Sequence, residues 1–189
     1  MVSCRPIPMT MAKQQSFVSD VKELRRRARE HMDQGSLTPS YKGDVEAAVN
    51  LLNEALATEI VCVLRYNYHA VVAAGMNSES VREEFTEHAK EEQGHAARIA
   101  NRINQLGGKP NMNPEGILTR AHSEYVEGDT LVEMIKENLV AERIAIESYR
   151  EMVRFFGDND PTSRRLMEEI LEKEEEHASD MADLLRTHA

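Results

Sequence analysis

Apolar residues recur at three- and four-residue steps through four long stretches of this 189-residue chain, the signature of helices with one buried face. In the first stretch the stripe is Leu52, Ala55, Leu56, Cys62, Val63 and Tyr66, and in the second Phe85, Ala89, Ala96 and Ile99. The third carries Ile135, Leu139, Ala145, Ile146 and Tyr149, and the fourth Met167, Ile170, Leu171, Ala178 and Met181. No segment alternates β-branched and polar residues over a convincing length, so the expected fold class is all-α.

Local signals set the ends. The first helix is expected from Asp44, a capping residue, to about Ala74, with Gly75 ending it. The second starts near Ser78–Ser80, where Ser80-Val81-Arg82-Glu83 has the form of a capping box, and stops at Gly107-Gly108. The third follows Asp129 and ends at Gly157; the fourth follows Asp160-Pro161, an N-cap with proline at the first helical position, and runs to about Thr187. Before them, residues 1–15 read as irregular, with Pro6 and Pro8 opposing a helix. Residues 16–33 read as a short helix with the stripe Phe17, Val18, Val21, Leu24 and Ala28 among Arg25, Arg26, Arg27 and Arg29. The expected division is therefore an N-terminal extension, partly helical, over 1–43 and a four-helix bundle over 44–189.

The links decide the topology. The first and second helices are joined by a few residues, as are the third and fourth, so each pair is an antiparallel hairpin. Residues 107–128, with Pro110, Pro114 and Gly116, show no convincing helix. A helix of about 28 residues is about 42 Å long, and 22 extended residues reach about 70 Å. The link can therefore cross the whole bundle and leave the second and third helices parallel.

Composition narrows the function. The chain is 41% hydrophobic and 30% charged, a soluble globular profile, and its net charge of −10 is uneven. Residues 1–40 carry +3 and residues 41–189 carry −13, so the body suits cations and not nucleic acid. Cys4 and Cys62 form neither a disulfide framework nor a Cys-x-x-Cys site, which fits a reducing cytoplasm. No apolar h-region follows Arg5 and no apolar run approaches the ~20 residues a membrane span needs, so no membrane association is expected.

The candidate chemistry lies in Glu92-Gln93-Gly94-His95 and Glu174-Glu175-Glu176-His177. Residues three apart share a helix face, so carboxylate and imidazole can converge on one metal. With 25 glutamates and seven histidines, about one Glu-x-x-His is expected by chance. The surroundings carry more: Glu59 precedes Glu92 by 33 residues, and Glu142 precedes Glu174 by 32. All four glutamates stand in core-facing stripes. Four buried carboxylates would repel one another and take up protons; two divalent cations would balance them, and two neutral histidines complete the donor set. Carboxylate and imidazole donors suit iron and manganese, and zinc less distinctively.

With these motifs in view, the sequence resembles the ferritin-like di-iron superfamily, and bacterioferritins in particular, over residues 44–187. The matching segments are Leu52-Asn53-Glu54 through Glu59, Glu92–His95, Leu139-Val140-Ala141-Glu142 and Glu174–His177. The resemblance implies the ferritin-like four-helix bundle with one long crossover. It implies that Glu59 and Glu142 are terminal ligands, that Glu92 and Glu174 bridge two iron ions, and that His95 and His177 bind one each. The implied activity is oxidation of Fe(II) to Fe(III) by O2 or H2O2, with iron stored in a homo-oligomeric shell. Tyr66 and Tyr149 repeat one offset after Glu59 and Glu142; core packing and a role at the site both stay open. Gln93 stands where bacterioferritins carry a haem-ligating methionine, so no haem is expected there. Ala145 replaces a further rubrerythrin carboxylate, and the Cys-x-x-Cys pairs of a rubredoxin domain are absent.

Other readings stand beside this one. A di-iron or dimanganese peroxidase or oxidase of rubrerythrin type would store nothing, and a Dps-like mini-ferritin would protect DNA. DNA contact through Arg25–Arg29 is the lesser reading of a segment that otherwise reads as a solvated helix face. Cys62 reads as a buried, inert thiol. His88 reads as lying beside the ligands or at the surface, and His31, His69, His122 and His188 as surface or packing residues.

Overall fold

Asp44 accepts a hydrogen bond from the Ala47 amide at 3.0 Å and starts the first long helix, as its side chain is suited to do. A computed structural model describes residues 20–75 and 78–188 of the chain. The described residues contain helices and no strand: α1 (Val21–Arg27), α2 (Val45–Val72), α3 (Ser78–Gln105), α4 (Ile117–Arg120), α5 (Leu131–Phe156) and α6 (Pro161–His188), with a 3-10 turn at Met32–Gln34. The all-α expectation holds, and the four long helices begin and end within two or three residues of the expected positions. Ser80 sits inside the first turn of α3 rather than at its cap, because the helix already begins at Ser78. Thr130, not Asp129, caps α5, in a capping box with Glu133.

The long helices form a ring. α2 packs along α3 and α5 along α6, and the two hairpins meet where α2 faces α5 and α3 faces α6. Polar pins show the directions. Tyr149 in the second half of α5 reaches Glu59 at the middle of α2, whereas Asn138 in the first half of α5 meets His69 near the end of α2. Arg102 at the end of α3 holds Asp160 and Ser163 at the start of α6. Both facing pairs are antiparallel, and α3 and α5 are parallel across the diagonal.

The crossover at 107–128 is more ordered than the sequence suggested. It includes the one-turn helix α4, whose Ile117 packs on Ala57 and Val61 of α2. It also follows α2 along its length. Asn53 binds the backbone at Lys109 and Asn111, Thr58 accepts from the His122 amide, Cys62 meets Ser123, and Arg65 donates to the Glu124 carbonyl. His69 completes the ladder at the Glu127 carbonyl, 2.7 Å away. Where the strap begins, Gly108 lies against Val49; a Cβ there would be 2.6 Å from its Cγ1.

Covered by this strap as well as by its neighbours, α2 is apolar around most of its circumference. Among the described helices it alone is long and apolar enough to cross a membrane by length and composition. That corrects the expectation that no stretch approaches such a composition. Half of its most apolar window is buried inside the bundle, and Glu59 and Arg65 along it are buried too, the pattern of a core helix.

The N-terminal segment departs furthest from expectation. Cys4, Arg5, Pro6, Pro8, Phe17 and Val18 lie outside the described residues. α1 spans seven residues rather than most of 16–33, and it buries none of them; Val21 is 55% and Leu24 43% exposed. Two turns are too short to lay a continuous stripe on the core, and Arg26 instead pairs with Glu23 and Glu30 on α1's own surface. Beyond it, Leu37 and Tyr41 pack against the core, and the Tyr41 hydroxyl donates to Asp160 Oδ2 at 2.9 Å.

Candidate metal centre

Glu59, Glu92, His95, Glu142, Glu174 and His177 come together at the middle of the ring, and all six are buried. They form two groups of four, in each of which the donor atoms lie within 4.8 Å of one another. The first is Glu59, Glu92, His95 and Glu174; the second is Glu92, Glu142, Glu174 and His177. Glu92 and Glu174 belong to both. Each Glu-x-x-His uses its three-residue step to present carboxylate and imidazole on one face of α3 or α6. α2 and α5 supply one carboxylate each from across the bundle.

His95 Nδ1 lies 3.0 Å from Glu174 Oε1, 3.1 Å from Glu92 Oε2 and 3.3 Å from Glu59 Oε2. His177 Nδ1 lies 3.4 Å from Glu92 Oε1, 3.7 Å from Glu174 Oε2 and 3.9 Å from Glu142 Oε2. Among the described residues, four atoms at the centre have no hydrogen-bond partner: Glu59 Oε2, Glu142 Oε2, Glu174 Oε1 and His177 Nδ1. A buried polar atom left unpaired costs about 1–3 kcal/mol. Unpaired carboxylate oxygens and an imidazole nitrogen, converging in two sets, are the donors a pair of divalent cations would satisfy.

Without cations, protons distribute the charge. Burial, together with the charges of Glu92 and Glu174, raises Glu59 and Glu142 well above the ordinary carboxylate range. Burial also acts to raise Glu92, but the close approach of the His177 and His95 rings outweighs it and holds the group strongly ionised. For the histidines burial disfavours the imidazolium, yet the close approach of the surrounding glutamates, Glu174 foremost, pushes His95 and His177 up to about 12.

The tyrosines explain their repeated offset. Tyr66, two turns after Glu59, donates not to Glu59 but to Glu142 Oε1 at 2.5 Å. Tyr149, two turns after Glu142, donates to Glu59. Each hairpin thus orients the other hairpin's glutamate through its second oxygen, and Oε2 is left facing the centre. Burial pushes both phenols well above their ordinary range, so they remain donors at neutral pH.

The matched relatives extend across this architecture. A model of the ferritin family, described as the ferritin-like domain, matches residues 49–188. The chain belongs to the ferritin-like family. The DNA protection during starvation protein of Pyrococcus furiosus is 29% identical over 145 residues, covering 75% of this chain and 78% of that protein. The bacterioferritin of Rhodobacter capsulatus is 28% identical over 137 residues, covering 72% and 80%. Among solved structures, the dodecameric thioferritin of Bacteroides fragilis, a bacterioferritin-related protein, superposes with a TM-score of 0.74 at 35% identity. That match covers 77% of this ferritin-like chain and 88% of the other.

Several neighbours of the centre were not singled out from the sequence. Glu91 Oε2 is 2.6 Å from His177 Nε2 and so steadies that ring from outside; it is hidden in sequence among many surface glutamates. Arg65 is fully buried and donates to Asn138 Oδ1 at 2.9 Å, and Asn138 in turn meets His69 Nδ1 at 3.0 Å. His88, read as beside the ligands or at the surface, is buried; its ring stacks on His177 with centroids 3.9 Å apart. Burial and the adjacent His177 lower His88 to about 4. Cys62 is buried as expected, and burial raises its thiol well above the ordinary range.

Proposed function

We propose that this ferritin-like chain is a ferroxidase that stores iron, with a di-iron centre held by Glu59, Glu92, His95, Glu142, Glu174 and His177. The observation that carries the reading is the pair of four-residue donor sets sharing Glu92 and Glu174. Glu92 and Glu174 each have one oxygen for each position, Glu59 and His95 complete one set, and Glu142 and His177 complete the other. Four carboxylates against two divalent cations give a neutral centre, which removes the repulsion of four buried charges. The donors suit iron or manganese, and zinc less distinctively.

Fe(II) is both occupant and substrate. The iron supplies the redox chemistry, each ion giving one electron, so two ions reduce O2 with two protons to H2O2, or reduce H2O2 with two protons to water. The protein supplies position and charge. Tyr66 and Tyr149 hold Glu142 and Glu59 by their outer oxygens, Glu91 holds His177, and the apolar layers on either side exclude bulk water. Loading with iron displaces the protons that Glu59, Glu142, His95 and His177 otherwise share. The working form is a homo-oligomeric cytoplasmic shell that collects Fe(III); the dodecameric state of the Bacteroides fragilis relative supports assembly. The chain divides, in this reading, into an N-terminal extension over 1–43 and the iron-binding bundle over 44–189. The Dps-like name of the Pyrococcus furiosus relative favours DNA protection as a second reading, through the arginines of α1.

Native mass measurement and iron loading test the proposal together. The expected result is a closed multimer which, given excess Fe(II) anaerobically and then air, retains many irons per chain. A dimer retaining about two irons per chain would point instead to a peroxidase or oxidase of the same centre. Retardation of DNA that disappears on deleting residues 1–40 would support the second reading.

A further inference from the structure

The two hairpins repeat one another, but the repeat breaks on one side of the centre. Counting from Glu92 on α3 and from Glu174 on α6, the equivalent of His88 is Ile170, and the equivalent of Glu84 is Leu166. Ile170 is fully buried and Leu166 packs against the same core cluster, as a bundle interior requires. The equivalent of Asp180 is Arg98, which lies at the surface and pairs with Glu169. Where one half closes with aliphatic side chains, the other presents a carboxylate, an imidazole and a second carboxylate.

These three groups converge. His88 Nε2 is 3.1 Å from Glu84 Oε1 and 3.6 Å from Asp180 Oδ2, and the three donor atoms lie within 4.8 Å of one another. The ring's other nitrogen sets its orientation. The Tyr66 hydroxyl has one proton, and it is given to Glu142; towards His88 Nδ1, 3.2 Å away, the hydroxyl oxygen therefore accepts. In the neutral ring, with its proton on Nδ1, Nε2 carries a lone pair and faces two carboxylates. Nε2 makes no hydrogen bond among those of the described residues. A lone pair aimed at two anions is a poor arrangement by itself, and a good one around a cation.

We propose that Glu84, His88 and Asp180 form a third, mononuclear divalent-cation site at the solvent edge of the α3–α6 face. One imidazole and two carboxylates are a donor set for Fe(II), Mn(II) or Zn(II). Donors about 2.0–2.2 Å from a tetrahedral ion stand roughly 3.3–3.6 Å apart, close to the spacing present. The site opens outward: the Glu84 and Asp180 side chains are 34% and 43% exposed, while that of His88 is 2% exposed. Burial and neighbouring carboxylates also raise both groups above their ordinary range, Glu84 feeling Asp180, Glu87 and Glu91, and Asp180 feeling Glu176 and Glu91. Lys173 pairs with Glu91 and Glu176, and its charge, like that of His177, only partly offsets the rise at Asp180. Through the stacked His88 and His177 rings the site abuts the paired centre, so it is placed to take a cation from solvent beside the buried donors. Its existence does not depend on the paired centre being occupied.

Calorimetric titration of the full-length chain with Zn(II) tests this. The wild type is expected to bind about three equivalents per chain, E84Q/D180N about two, and E59Q/E142Q to keep the outer equivalent. Both variants should retain the wild-type circular dichroism, since Glu84 and Asp180 lie at the surface and the glutamine pair keeps side-chain volume. Identical stoichiometry in the wild type and E84Q/D180N would overturn the third site, as would its loss in E59Q/E142Q. A wild type that binds only the equivalent removed by E84Q/D180N would uphold the third site and overturn the paired-centre reading. Zinc anomalous scattering between Glu84, His88 and Asp180 is the direct confirmation, and its absence at zinc-saturating concentration counts against the site.

Discussion

Glu92→Ala is expected to abolish rapid Fe(II) oxidation while leaving the bundle folded. Glu92 belongs to both donor sets, so its loss damages both positions at once. It is also the carboxylate hydrogen-bonded by His95, at 3.1 Å, and it lies 3.4 Å from His177. Removing a partner that merely orients a ligand typically costs 10- to 100-fold in metal affinity or activity; losing the shared ligand itself should cost at least about 100-fold in initial rate. Alanine favours the helix, and the α3 stripe of Val81, Phe85, Ile99 and Ile103 is untouched, so helicity should match the wild type. Stopped-flow oxidation of anaerobically mixed protein and Fe(II) checks this. Wild-type kinetics in the variant would sink the assignment of Glu92.

Arg65→Ala should have the largest effect on stability, though the residue lies outside the donor sets. The guanidinium is fully buried and donates to Asn138 Oδ1, the Glu124 carbonyl at 2.8 Å and Cys62 Sγ at 3.5 Å. Truncation leaves these acceptors without a donor and opens a cavity between α2, α5 and the crossover strap. With about 1–3 kcal/mol for each buried group left unpaired, the loss should be about 3 kcal/mol or more. Urea unfolding of metal-free protein measures it. Cleavage by a protease within residues 107–128 should also rise, since Arg65 ties the strap to α2, whereas Glu92→Ala should leave that cleavage unchanged. A loss below about 1 kcal/mol would show that the Arg65 network contributes little.

Helix number, class and ends were legible because periodicity and end signals agreed at Asp44, Gly157 and Asp160-Pro161. The convergence of six donor residues was legible for a related reason: each glutamate sits inside an apolar stripe, and two nearly equal spacings align the hairpins. What escaped depends on contacts between distant segments. The strap's course along α2 follows from polar side chains at Asn53, Thr58, Cys62, Arg65 and His69, which share one side of that helix. A signal was available: α2 is apolar over too much of its circumference for a helix with an open face, so something had to cover it. The crossed tyrosines were harder, because sequence offset pairs Tyr66 with Glu59 whereas the bundle pairs it with Glu142. His88 was underrated because nothing in the other hairpin repeats it, and that asymmetry is what marks it. α1 is present but shorter than the pattern suggested: among its described residues the apolar positions stay exposed, because only packing can turn a short stripe into a buried face.

The paired centre itself is open to one direct measurement, iron anomalous scattering from crystals of the full-length protein soaked anaerobically in Fe(II). The predicted result is two iron positions, one among Glu59, Glu92, His95 and Glu174, the other among Glu92, Glu142, Glu174 and His177. Iron at neither position, or a single iron that Glu92 and Glu174 do not share with a second, would contradict the account.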